Sequence, residues 1–91
     1  MKAYEAMKKA LDAEFLRAWI VNYISSVLDM DKETFPTSEP FDSYGFDSAE
    51  AVIMAGVMEE EFDVEIDPSL FFEEPSVDGL ISALRGAGLA A

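Results

Sequence analysis

The chain has 91 residues, enough for one hydrophobic core and no second. It is 51% hydrophobic and carries six Lys+Arg against nineteen Asp+Glu, a net charge of −13, which argues against intrinsic disorder and makes nucleic acid and anionic membranes poor partners. With neither Cys nor His, it can build no disulfide, no thiolate or imidazole metal site, and no serine–histidine or cysteine–histidine catalytic pair.

No apolar run is long enough for a signal peptide or a bilayer span, so a soluble protein in a reducing, cytoplasmic setting is expected. The charge is uneven: residues 1–28 sum to +1, residues 79–91 to +1, and residues 29–78 hold sixteen acids against Lys32 alone. Such an anionic surface on a folded segment suits docking to basic protein patches, or simply keeps the chain in solution.

Residues 1–12 read as an N-terminal extension, either helical through Tyr4, Met7 and Leu11 or frayed. A first helix follows, with Asp12 able to cap it and Phe15, Leu16, Trp19, Ile20, Tyr23, Ile24, Val27 and Leu28 on one stripe. Over residues 31–47 the helical period is lost. Pro36 and Pro40 break any helix and Asp42-Ser43-Tyr44-Gly45 is turn chemistry, while Phe35, Phe41, Tyr44 and Phe46 predict that this long loop packs on the core.

A second helix is expected from Asp47-Ser48 to about Phe62, capped by either of those residues, with Val52, Ala55, Met58 and Phe62 facing inward. Gly56 in its middle costs about 1 kcal/mol against Ala, and Glu59, Glu60 and Glu61 oppose the dipole at its end, so packing or docking should account for them. Asp67-Pro68 opens a short helical turn through Leu70, Phe71 and Phe72. A last helix is capped by Ser76, buries Val77, Leu80, Ile81 and Leu84, and stops at Gly86. The expectation is an all-α fold: a small four-helix bundle of three main helices and one short one, spanning residues 13–86, with residues 87–91 as a C-terminal tail.

The stretch Gly45-Phe46-Asp47-Ser48-Ala49-Glu50 places a serine hydroxyl at the mouth of a helix, where free backbone N–H groups favour an attached phosphate. Alone, a serine there is more often a plain cap. The longer string Phe41-Asp42-Ser43-Tyr44-Gly45-Phe46-Asp47-Ser48, the later Glu59-Glu60-Glu61-Phe62-Asp63-Val64-Glu65-Ile66 and Phe72-Glu73-Glu74-Pro75-Ser76-Val77 closely resemble an acyl carrier protein in order and spacing, over about residues 14–85.

The resemblance implies a four-helix carrier in which Ser48 takes a 4′-phosphopantetheine arm from coenzyme A through a phosphopantetheinyl transferase, with Asp47 as the motif acid beside it. Acyl groups would ride as thioesters on the arm, whose thiol compensates for the missing Cys. The helix from Ser48 would be the recognition helix, with Glu50, Ile53, Glu59, Glu60 and Glu61 meeting partner enzymes: an acyl-loading ligase or transferase, a ketosynthase and other acyl-processing enzymes. A non-catalytic monomer is expected, in a polyketide, specialised-lipid or fatty-acid pathway. An aminoacyl or peptidyl carrier is the alternative. Ala49 stands where the family usually has Leu, and Ile53 where fatty-acid-synthesis carriers often have an acid. Ala49, Ile53 and Gly56 therefore form an apolar outer strip that points to a specialised pathway, or they pack beneath the long loop.

Other classes fit less well. Asp63, Glu65, Asp67 and Glu74 have calcium-loop spacing, but Pro68 occupies the position that needs Gly. A decoy mimicking nucleic acid gives Ser48 no role, and an enzyme of paired carboxylates lacks a pocket in so small a bundle. No metal site is expected.

Overall fold

The computed structural model describes residues 11–91. It contains helices α1 (Ala13–Leu28), α2 (Ser48–Phe62), α3 (Leu70–Glu73) and α4 (Val77–Gly86), with 3₁₀ turns at Lys32–Thr34 and Phe41–Tyr44 in the long loop between α1 and α2. The expected all-α bundle of three main helices and one short helix is therefore observed. Residues 1–10, the greater part of the expected extension, lie outside the described residues.

Each main helix starts where a short polar side chain accepts a backbone N–H that the helix itself leaves unbonded. Asp12 accepts from Phe15 N at 3.0 Å, Asp47 from Glu50 N at 3.0 Å, and Ser76 from Gly79 N at 2.9 Å. Helices α1 and α2 end on Asp29 and Asp63, both in the left-handed region at φ 58° and 55°.

The stripe of α1 is narrower than its sequence pattern suggests. Leu16, Ile20 and Ile24 are buried, but Phe15 is 52% exposed and Val27 is also exposed. The line i, i+4, i+8 through Leu16 faces the core and α1 packs on α4. The neighbouring line turns outward and makes an aromatic edge, with Trp19 against Phe62 at 5.2 Å, Phe15 against Phe62 at 5.8 Å and Trp19 stacked on Tyr23 at 5.4 Å.

On α2 the inward face is Ala51, Met54, Ala55 and Met58. Ala55 and Met58 were expected there, but Val52 is 49% exposed and Phe62 only half-buried. Residues 49, 51–55, 57 and 58 are all apolar, so periodicity alone had little to choose between, and tertiary packing set the register. In α4 the expected stripe of Val77, Leu80, Ile81 and Leu84 is buried throughout.

The long loop is anchored as its aromatics predict. Phe41 and Phe46 are buried 5.5 Å apart, and Phe35 meets Tyr44 edge-on at 5.1 Å. Phe41 N donates to Pro75 O at 2.7 Å, and Asp78 N donates to Thr37 O at 3.0 Å. The Asp78 carboxylate accepts from Thr37 Oγ1 at 3.3 Å and lies 3.4 Å from the Arg17 guanidinium, so one side chain ties loop, α4 and α1 together. Gly79 has no room for a side chain, because a Cβ there would sit 2.5 Å from Glu74 Cβ and 2.6 Å from its carbonyl oxygen. Gly79→Ala is thus expected to cost about 1–3 kcal/mol in denaturant unfolding, whereas a loss within error would mean that the Glu74 backbone yields freely.

Residues 87–91, expected as a tail, join the folded body. Leu11 N donates to Leu89 O at 3.0 Å, Ala91 N donates to Leu11 O at 2.8 Å, and Ala90 is buried. Gly88, at φ 81°, takes the left-handed conformation that reverses the chain after α4 for this pairing.

Candidate functional site at the head of α2

Gly45 closes the Phe41–Tyr44 turn at φ 92°, a conformation costly for any side chain, and its N–H points back to Asp42 O and Phe41 O. The reversal buries Phe46 and sends the next two residues outward at the start of α2. Asp47 takes the capping role, so the alternative that Ser48 caps is not realised. Ser48 is exposed, and among the described residues its hydroxyl has no hydrogen-bond partner. The backbone N–H groups of Ser48 and Ala49 also lack an intramolecular acceptor there. A free hydroxyl thus stands beside two free backbone donors at the positive end of a 15-residue helix.

Beside Ser48 lies a cleft of about 230 Å³, lined by Phe41, Phe46, Phe71, Phe72 and Pro75 among others. Phe72, 53% exposed, stands at its margin, while Phe71 beside it is buried. Phe72 and Pro75 line the cleft although neither stands out in the sequence as a site residue. The available signal was the Phe71-Phe72 pair, since neighbours on a short helix cannot both face the core. The cleft and donors suit a phosphate ester carrying an extended, partly apolar chain. A larger, shallower depression along α1 involves Phe15, Arg17, Trp19 and Lys32, and Ser48 is not among its lining residues.

The remaining expected site residues divide by environment. Glu60 and Glu61 are exposed, Glu50 is half-buried, and Ile53 is 56% exposed. Glu59 is half-buried, and its Oε2 accepts from Ile66 N at 2.8 Å, holding the segment that follows α2. Ala49, Ile53 and Gly56 are all exposed, so the strip faces solvent and does not pack beneath the loop. Among the described residues, no group of three or more acidic side chains is placed to hold a metal ion, and no helix is long and apolar enough to cross a membrane.

Burial pushes the Tyr44 phenol up to about 12, and among the described residues its hydroxyl has no hydrogen-bond partner. Because the folded value lies above the ordinary one near 10, Tyr44 stabilises the fold fully below about pH 10 and less as pH rises towards 12. Tyr44→Phe should therefore match or exceed the parent at neutral pH and lose less stability between about pH 10 and 12. Identical alkaline unfolding curves for the two proteins would refute this.

A family model described as the phosphopantetheine attachment site matches residues 18–84. Over 60 residues the chain is 37% identical to the polyketide synthase PksL of Bacillus subtilis, an alignment covering 66% of this chain and 1% of PksL. Over 78 residues it is 35% identical to PksR of the same organism, covering 80% of this chain and 3% of PksR. The chain thus spans only a small fraction of the length of these curated relatives. An acyl carrier protein from Anabaena with a variant phosphopantetheinylation-site sequence is similar in structure, with a TM-score of 0.76 and 27% identity over 89% of this chain and 92% of that one. A free-standing peptidyl carrier protein from Acinetobacter baumannii gives a TM-score of 0.72 and 26% identity, over 84% of this chain and 95% of that one. The acyl carrier protein LipD of Actinoplanes friuliensis gives 0.64 and 36%, over 82% and 83%.

Proposed function

The chain belongs to the phosphopantetheine-attachment family of carrier domains, and from that premise we propose that Ser48 bears the arm and that the protein carries acyl groups for polyketide-type enzymes. The observation that carries this reading is the division of labour at the head of α2: Asp47 caps the helix, which leaves the Ser48 hydroxyl free. When bound, the arm supplies a terminal thiol that holds cargo as a thioester. The chain's own residues do the positioning. The hydroxyl of Ser48 would be the point of attachment, the free N–H groups of Ser48 and Ala49 would be the donors available to its phosphate, and Phe72 and Pro75 would offer apolar surface to the arm.

The protein itself is non-catalytic and monomeric in this reading, and its partners are a phosphopantetheinyl transferase, an acyl-loading ligase or transferase, and a ketosynthase. The polyketide synthase relatives favour acyl cargo. Likeness to a peptidyl carrier protein supports the second reading, an aminoacyl or peptidyl carrier. Charging separates them. The arm-bearing protein is offered malonyl-coenzyme A with a malonyl-loading acyltransferase and, in parallel, amino acids with ATP and an amino-acid-activating enzyme. A mass gain with malonyl is expected, and gain with amino acids alone would decide for the second reading.

Glu60 and Glu61 form the exposed anionic end of the docking face, so Glu60→Gln/Glu61→Gln should lower the rate of arm attachment several-fold at low salt. The deficit should vanish at about 1 M salt, where screening shortens to about 3 Å. The fold should be unharmed, because both carboxylates oppose the helix dipole. Glu59 is left unchanged in this test, since its bond to Ile66 N mixes folding with docking. Equal rates at low salt would remove these carboxylates from the docking role.

A further inference from the structure

Residues 11–91 hold three cations, Arg17, Lys32 and Arg85, and the first two line the shallow depression along α1. Only Glu14 opposes them in that lining, so the depression is locally cationic in a chain of net charge −13. Phe15, Ala18 and Trp19 supply its apolar part. Phe15 and Ala18 are exposed, and Phe62 meets the rings of both Phe15 and Trp19 edge-on. With Trp19 also stacked on Tyr23, the rings are already held, so a contact with them orders little. Arg17 reaches Asp78 through one nitrogen at 3.4 Å and Glu14 through another at 4.0 Å. Its Nε is buried and, among the described residues, has no hydrogen-bond partner. Lys32 Nζ donates to Asn22 Oδ1 at 3.5 Å and makes no ion pair among the described residues.

We infer that this depression is a docking site for a partner helix that lays an apolar face on Phe15 and Trp19 and brings one or two carboxylates to Arg17 and Lys32. It shares no lining residue with the cleft beside Ser48, so the inference does not rest on Ser48 bearing the arm. From Glu14 to Asn22 the lining follows α1 for about 12 Å, room for two turns of a helix packed alongside. Trp and Arg carry much of the binding energy at protein interfaces, and the chain's one Trp and one of its two Arg meet here. Charge selects the occupant. Residues 1–10 carry Lys2, Lys8 and Lys9 against Glu5, the same sign as the depression, and a second copy would bring −13 against −13. That overall charge also opposes a strongly acidic partner, so the carboxylates must be few and local. At about 0.15 M salt, screening acts over about 8 Å and leaves the charges lining the depression in control.

Trp19, as the sole Trp, supplies the signal for the test. The full chain is titrated at about 0.15 M salt with a synthetic amphipathic peptide of about 15 residues, made of Leu, Ala and Gln with a pair of Glu beside its Leu face. A control peptide has Lys in place of that pair. The acidic peptide should give a saturable blue shift of Trp19 emission and bind at least about fivefold more tightly than the basic one. Lys32→Glu should weaken the acidic peptide about five- to tenfold. Its melting temperature should match the parent's, because the lysine is exposed and bonds only to Asn22 among the described residues. Phe15→Ala should weaken both peptides about tenfold while keeping the parent's helical circular dichroism. Equal affinity for the two peptides, or an unchanged affinity in Lys32→Glu, would overturn the proposal. No shift of Trp19 emission with the acidic peptide would overturn it as well. A concentration-dependent dimer of the parent that Lys32→Glu dissolves would assign the depression to a second copy and also overturn it.

Discussion

Phe46→Ala is expected to destabilise the protein by about 3–5 kcal/mol. Phe46 is among the largest fully buried side chains, its ring lies 5.5 Å from that of Phe41, and Phe41 in turn faces Phe71 at 6.4 Å. Truncation opens a cavity where the long loop, α2 and α3 meet. The backbone there is fixed by the Gly45 reversal and by Phe41 N bonding to Pro75 O, so it can close little of the gap. For a chain of this length total stability is roughly 5–13 kcal/mol, so about a quarter or more of it would be lost. Phe46→Leu keeps most of the volume and should cost under about 1.5 kcal/mol. Denaturant midpoints for the three proteins decide the matter. A loss below about 1 kcal/mol for the alanine variant would mean that Phe46 is not the floor of the site.

The consequence reaches the site itself. Phe46 lies two residues before Ser48, and its burial sets where the chain leaves the core to enter α2. The loop is held by aromatic rings on one side and by Thr37, Asp78 and Arg17 on the other. The exposed hydroxyl thus stands on a packed and hydrogen-bonded base, which suits the attachment role proposed for it.

Helix starts were the most legible part of the sequence. Asp12 and Ser76 were identified as caps, and Asp47 was one of two choices, because a short polar side chain before an apolar period has a single local explanation. The stripe of α4 was equally plain, since its apolar residues alternate with Asp78, Ser82 and Arg85. Register failed on α2 for the opposite reason. Val52 and Ala51 are both apolar neighbours, and only the placing of Ala51 beside Phe46 and Phe71 chooses between them, which is information held by the rest of the fold.

Phe15 and Val27 show the same limit on α1, where an apolar side chain beside the stripe can face solvent at small cost. The pairing of Leu11 with Leu89 and Ala91 joins residues nearly eighty positions apart, and no local pattern signals it. At the site, Ser48 and its neighbours were legible because turn, cap and helix follow one another along the chain. Glu59 was read as a docking acid, and its bond to Ile66 N depends on how the chain turns after Asp63.

Ser48→Ala should abolish arm attachment completely and leave the fold untouched. The loss is total because, in the proposed role, the hydroxyl oxygen is the atom that forms the new bond, and Ala has none. The fold is spared because the hydroxyl has no hydrogen-bond partner among the described residues, Asp47 holds the cap, and Ala is a good helix former. Other serines offer an internal control. Ser43 is also exposed and lies close in sequence, but its hydroxyl donates to Pro40 O at 2.7 Å. Ser43→Ala should accept the arm as the parent does.

The most direct measurement is intact mass after incubation with coenzyme A and a broad-specificity phosphopantetheinyl transferase, for parent, Ser43→Ala and Ser48→Ala. A gain of one phosphopantetheine in the first two and none in Ser48→Ala is the predicted result. A gain in Ser48→Ala, or none in the parent, would contradict the central claim that Ser48 carries the arm.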